Sequence, residues 1–179
     1  ATHKSLELKG KTLGVVGIGA IGRRVAGLGV AFGMQVVAFD PVAKEAPGGV
    51  TLLALAELLA RSHVVSLNCP LTEDNRHLIN RESLATMRNG AILVNTGRGG
   101  LIDEIALLEA LGSGKLRAAG LDAFAVEPLV GDHHFKAVPN VVLSPHVGGV
   151  SEDAYVNMGT AAARNVLAVL SGPRSEAVA

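Results

Sequence analysis

Apolar positions along this chain recur in two registers. Short continuous apolar runs, fit for strands buried on both faces, are separated by stretches whose apolar residues return at helical spacing. Leu13 to Ile18 reads as the first strand, and Ala20 to Phe32 as a helix that Gly33 closes with a left-handed cap. Gly27 and Gly29 inside that helix point to close packing. Val36 to Phe39 is the second strand. After the loop Pro47-Gly48-Gly49, the residues Leu52, Leu55, Ala56 and Leu59 mark a helix with one apolar face. His63 to Leu67 reads as strand three, Thr72 as the cap of a short turn, and Asn80 as the cap of a helix running to Met87. Asn89-Gly90 turns the chain into strand four, Ala91 to Asn95. Asp103 caps a helix on which Ile105, Leu108 and Leu111 share a face, and Gly112-Ser113-Gly114 ends it. Ala118 to Leu121 and Val141 to Leu143 are strands five and six, with a loop over 129–140. Ser151 caps a last helix striped with Tyr155, Met158, Ala162, Val166 and Val169.

Such alternation predicts an α/β fold, a parallel sheet with helices on both faces. Right-handed crossovers make it doubly wound, and ligands then bind beyond the carboxyl ends of the strands. The stretches Gly17–Gly22, Asp40, Asn68–Thr72, Thr96–Gly100, Asp122–Pro128 and Pro145–Gly149 all follow strands, so they share one rim.

The first of these stretches carries a motif. Gly17, Gly19 and Gly22 form G-x-G-x-x-G between a strand and a helix, and the next strand closes on Asp40. Gly17 permits the tight turn, Gly19 lets backbone approach a pyrophosphate, and Gly22 brings helix and sheet together. The helix start presents free N–H groups and a positive dipole end to the phosphates. Asp40 stands where a carboxylate accepts from an adenosine ribose, and no basic residue occupies 41–43. That pattern predicts a Rossmann fold preferring NAD to NADP.

Composition narrows the remaining classes. The 179 residues carry 16 basic and 16 acidic groups, no Trp and 3% aromatics, which leaves no footprint for nucleic acid. No apolar run approaches the ~20 residues of a membrane span, and the first residues show no signal-peptide core. The single cysteine, Cys69, cannot pair internally, so a reducing, cytoplasmic setting is expected.

Three ionisable groups on the rim suggest hydride-transfer chemistry. Arg98 lies in a glycine-flanked turn, where its planar fork suits a carboxylate. His146 sits between Pro145 and a Val-Gly-Gly turn at the end of a strand. Glu127 is its candidate partner, since a carboxylate on one imidazole nitrogen fixes the tautomer and favours imidazolium. Asp122 could accept from a nicotinamide carboxamide or merely cap a turn. The other histidines, His3, His63, His77 and the pair His133-His134, are discounted. That pair beside Asp132 has chelating chemistry but reads as a solvated loop, and no metal is expected.

With these residues assembled, the chain resembles the NAD-binding domain of the D-isomer-specific 2-hydroxyacid dehydrogenases. The nearest branch is that of the 3-phosphoglycerate and glycerate dehydrogenases. The resemblance runs from Leu8 to Gly172 through Leu8–Gly14, Gly17–Gly22, Pro70–Thr72, Asn95–Asp103, Gly120–Pro128 and Ser144–Gly149. It implies that Arg98 holds the substrate carboxylate and carbonyl, that His146 is the general acid/base and that Glu127 is its partner. It also implies that Ala20 and Ile21 present backbone to the pyrophosphate and that Asp40 holds the ribose. Cys69 and Pro70 would flank the adenosine, Thr96 and Gly97 the nicotinamide, with Asp122 on the carboxamide and Gly148 and Gly149 in the turn after His146. Ala20, where arginine is frequent, Gly97 for alanine and Asn68 for histidine depart from the pattern without touching the catalytic positions.

The family also carries a substrate domain, which the resemblance implies lies outside these residues. Residues 1–179 are therefore expected to be one cofactor domain, with 1–11 and 172–179 as hinge segments, weakly active or inactive in isolation. The implied activity is NAD-dependent interconversion of a small D-2-hydroxy acid and its 2-oxo acid. A homodimer through the helices near 75–88 and 103–111 is also implied. The alternative is a non-catalytic, NAD-sensing scaffold like the family's corepressor members.

Overall fold

A computed structural model describes residues 7–129 and 131–172 of the chain. Its interior strand β1, Thr12–Val16, is buried at every position. Full burial follows from its place, because hydrogen-bonded neighbours stand on either side and helices cover both faces. The partners of β1 are β2, Gln35–Phe39, and β4, Val64–Leu67. With β3, Val50–Leu52, β5, Ala91–Asn95, β6, Leu116–Leu121, and β7, Val141–Leu143, they make one parallel sheet ordered β3-β2-β1-β4-β5-β6-β7. The chain runs outward from β1 to β3, then returns to lay β4 on the other side of β1. That reversal opens a crevice beyond the carboxyl ends of β1 and β4.

Helix α1, Ala20–Ala31, covers one face, where Ala26 packs with Leu13, Val15, Val36 and Ala38. The other face carries α2, Leu55–Arg61, α3, Arg81–Thr86, and α4, Glu104–Gly112, over a core that includes Leu58, Leu67, Leu93, Leu107 and Leu116. Capping fixes two of these helix starts. Asn80 accepts from the N–H groups of Glu82 and Ser83 while the Ser83 hydroxyl accepts from the Asn80 N–H, and Asp103 accepts from Ile105 and Ala106.

The structure changes four expectations. Leu52 belongs to β3, a three-residue edge strand too short for its alternation to show. The turn after β4 is organised by Asn75, whose side chain accepts from the Thr72 N–H, so Thr72 is not its cap. On α4 the buried face is Ala106, Leu107, Ala110 and Leu111, whereas Ile105 is exposed. An added Cβ on Gly29 would lie 2.6 Å from Leu13, but one on Gly27 would meet nothing within 4 Å, so only Gly29 marks close packing.

The chain divides into two compact units, 1–145 and 146–179. The second contains α5, Glu152–Ser171, capped by Ser151, with Tyr155, Met158, Val166 and Val169 exposed. The expected hinge segments 1–11 and 172–179 fall largely outside the described residues, as does His3.

Candidate active site

The glycine turn at the end of β1 is dictated from two directions. Gly17 has a φ of +88°, and a Cβ there would lie 2.7 Å from the backbone nitrogen of Cys69. Gly22 is closer still, its Cβ 1.9 Å from the Gly17 carbonyl oxygen. Gly19 is different. A Cβ added to it would meet nothing within 4 Å, so the protein's own packing makes no demand for glycine there. No side chain caps α1, and its first internal bond is Arg23 N–H to the Gly19 carbonyl. The N–H groups of Ala20, Ile21 and Gly22 therefore have no acceptor within the helix, which makes an anion-binding end.

Beside the turn lies a cavity of about 550 Å³, lined among others by Gly17, Phe39, Asp40, Cys69, Pro70 and Leu78. Asp40 clamps its floor. One carboxylate oxygen accepts from the Ile18 N–H at 2.9 Å, the other from Val42 and Ala43 at 3.0 and 3.2 Å. Burial alone would raise the carboxyl, but the three N–H donors and the Arg23 charge outweigh it and hold it below its ordinary value. A carboxylate offers roughly four lone-pair positions, so one remains for a hydroxyl. Burial pushes the Cys69 thiol above its ordinary value; a backbone hydrogen bond opposes this in part, and the Asp40 charge adds a smaller upward push. Next to it, Asn68 donates to Ser66, while its Oδ1 is buried without a partner. The open Gly19 surface, the uncapped helix end and this orphaned acceptor all fit a dinucleotide laid across the turn.

Further along the rim, the loop after β5 is built on Asn95, whose side chain is fully buried. Its Oδ1 accepts from the Gly97 N–H and its Nδ2 donates to the Arg98 carbonyl, holding Thr96–Arg98 in shape. Arg98 is exposed, with Nη1 donating to the Gly97 carbonyl at 2.8 Å. A Cβ on Gly99 would lie 1.8 Å from the Phe124 carbonyl carbon, which forces this loop against the one after β6. In that second loop Glu127 accepts from the Phe124 N–H at 2.9 Å. Arg98 and Glu127 thus line one cavity of about 290 Å³, together with Leu71, Arg76 and His77. Asp122 is buried at the end of β6 and accepts from the Ser144 hydroxyl at 2.5 Å.

The sequence reading missed two residues here. Asn95 was legible as an amide closing an apolar strand just before the Thr96–Gly100 turn. Arg76, a second cation on the Arg98 cavity, had no local signal. Of the discounted histidines, His63 accepts through Nδ1 from the Thr12 N–H at 3.0 Å, whereas His77 lines the Arg98 cavity.

His146 opens the second unit, and Gly148 and Gly149 follow it there. Its φ of 57° is left-handed, a conformation that costs a non-glycine residue about 1 kcal/mol and recurs at functional positions.

Comparison with known proteins gives concordant results. Residues 1–148 match the model of the D-isomer specific 2-hydroxyacid dehydrogenase NAD binding domain. The chain is 48% identical to a hydroxypyruvate reductase of Thermotoga maritima over 87% of its own length and 52% of the relative's. It is 45% identical to a D-3-phosphoglycerate dehydrogenase of Methanocaldococcus jannaschii over 98% of the chain and 34% of the relative. The crystal structure of D-lactate dehydrogenase with NAD+ from Lactobacillus jensenii aligns with a TM-score of 0.88 at 31% identity, over 98% of this chain and 57% of that one. The chain thus spans between a third and about half of these relatives. No described helix is long and apolar enough to cross a membrane.

Proposed function

This chain belongs to the NAD-binding-domain family of the D-isomer-specific 2-hydroxyacid dehydrogenases, and from that premise we propose that it is the cofactor domain of an enzyme interconverting a D-2-hydroxy acid and its 2-oxo acid. The observation that carries the proposal is the shared cavity of Arg98 and Glu127, on the same sheet rim as the glycine turn and Asp40. When bound, NAD supplies the hydride acceptor or donor. The residues do the rest. Arg98 orients the substrate carboxylate and stabilises charge on the carbonyl oxygen, with Arg76 adding positive potential to the same cavity. His146 takes the hydroxyl proton in oxidation and returns it in reduction, and Glu127 supports its imidazolium. Asp40 accepts from the ribose, and the start of α1 holds the pyrophosphate.

On this reading 1–179 is one cofactor domain of a longer protein. The relatives' greater length supports that arrangement. Reduction of glyoxylate or hydroxypyruvate is the expected activity, since enzymes so named share 43–48% identity with the chain. A cytoplasmic location fits the single cysteine, which has no internal partner for a disulfide, and a homodimer would use the α3–α4 surface that the Arg81–Glu109 ion pair ties together.

Two measurements test the proposal. The chain itself should bind NADH at sub-millimolar concentration, and Asp40→Ala should weaken binding about tenfold. In a version carrying a substrate domain, Arg98→Ala should lower kcat/KM by about two orders of magnitude, near 3 kcal/mol of transition-state binding. Ordinary turnover in that variant, or in His146→Ala, would refute the catalytic assignment. NADH binding without turnover of any 2-oxo acid would favour the scaffold.

A further inference from the structure

The loop that follows Glu127 leads into a short 3-10 turn, His134–Ala137, pinned by the fully buried Phe135. Two adjacent imidazoles precede that phenyl ring in sequence, and the fold aims both at one acid. Nε2 of His134 lies 3.3 Å and Nε2 of His133 3.7 Å from Oε2 of Glu104, in the first turn of α4. Ligand atoms of the three residues all lie within 4.8 Å of one another.

We propose that Glu104, His133 and His134 form a binding site for a late first-row divalent cation such as Zn²⁺. The spacing carries the argument. Ligands about 2.1 Å from a tetrahedral ion stand about 3.4 Å apart, which matches the two nitrogen–oxygen separations. Both are too long or too crowded for two good hydrogen bonds to a single oxygen. Two imidazoles with one carboxylate are also the donor set that zinc and its neighbours take, with a fourth position left for water.

The surroundings support the ligands. The other oxygen of Glu104 accepts from the Ala125 N–H at 2.9 Å, which fixes the carboxylate so that Oε2 faces the imidazoles. Glu104 and His133 are largely buried, with side-chain exposures of 14% and 16%, whereas His134 is 40% exposed and opens the site to solvent. The neighbouring cation, Lys136, is drawn off to the Gly131 carbonyl. Binding through Nε2 places the proton of His133 on Nδ1, which forfeits only a long contact from the Phe135 N–H at 3.4 Å. A bound ion ties the turn at 134–137 to α4 and, through Ala125, to the loop that carries Glu127.

The chain, freed of metal with a chelator and titrated with Zn²⁺ alone by calorimetry, should bind one ion at micromolar concentration. His134→Ala and Glu104→Gln should each weaken binding by about tenfold or more. Asp132→Asn, beside the site but outside the donor set, should leave it unchanged. His134→Ala changes an exposed side chain, so it decides the matter even if Glu104→Gln fails to fold. Binding no tighter than about 100 µM, or binding unaltered by His134→Ala, overturns the site. NADH affinity, measured beside it, reports separately on the dinucleotide turn.

Discussion

An added Cβ at Gly22 would lie 1.9 Å from a carbonyl oxygen of its own turn, whereas one at Gly19 would meet no protein atom within 4 Å. Two glycines of one motif therefore serve different ends. Gly22→Ala should destabilise the fold by about 3 kcal/mol, because rigid backbone must shift to admit a methyl group. Gly19→Ala should change stability by no more than about 1 kcal/mol, since its φ of −67° suits alanine and the site is open. It should nonetheless weaken NADH binding about tenfold or more. Paired urea denaturation and NADH titration check both variants, and equal losses of binding and stability at Gly19 would contradict the division. The motif assigned Gly19 to the pyrophosphate and Gly22 to helix–sheet packing, and the room around each Cβ position agrees with that division.

Helix starts were legible because they obey local chemistry. Asn80 and Asp103 each precede a run of helix formers, and each accepts from two backbone N–H groups at the start of its helix. Asn80→Ala should lower stability by about 1 kcal/mol, read as a shift of the urea midpoint with an unchanged slope. Faces were less legible. Ile105, Leu108 and Leu111 look like one apolar stripe, yet Ile105 is exposed, because the core meets α4 along Ala106, Leu107, Ala110 and Leu111. Strongly apolar helices satisfy several stripes at once, and only the neighbour decides which is buried. The strand β3 escaped for the opposite reason. Three residues at a sheet edge carry too little periodicity, and pairing with β2 is what extends them.

Across the whole molecule, pH acts through groups whose neighbours come from distant segments. His63 stands before β4 and accepts from Thr12 at the start of β1. Burial first, then the charges of Arg88 and Lys11, hold its pKa below the ordinary 6.5, so folding favours the neutral ring. Its contribution is therefore complete above the unfolded value and fades as pH falls from 6.5 toward the lower folded one. Stability measured by denaturant should drop as pH falls below about 6.5. His63→Gln, which keeps an acceptor but does not titrate, should flatten part of that slope. Asp40 acts in the same direction at lower pH, its contribution being lost as pH falls through a value depressed below 3.8.

The sequence by itself determined the class of fold, the dinucleotide turn and the order of loops along one rim. Each of these is written in short-range features: apolar runs, caps, and glycines where the backbone must bend. It also singled out Arg98, and Glu127 as the partner of His146. Only the tertiary structure decided that the loops carrying Arg98 and Glu127 abut, through the close approach of Gly99 to Phe124, and that Asn95 and Arg76 lie beside Arg98. It likewise turned His133 and His134, read as solvated loop, toward Glu104 about thirty positions earlier. Spacing along a chain does not encode which side chains converge across it. That convergence is set by the register of seven parallel strands and the packing between their loops.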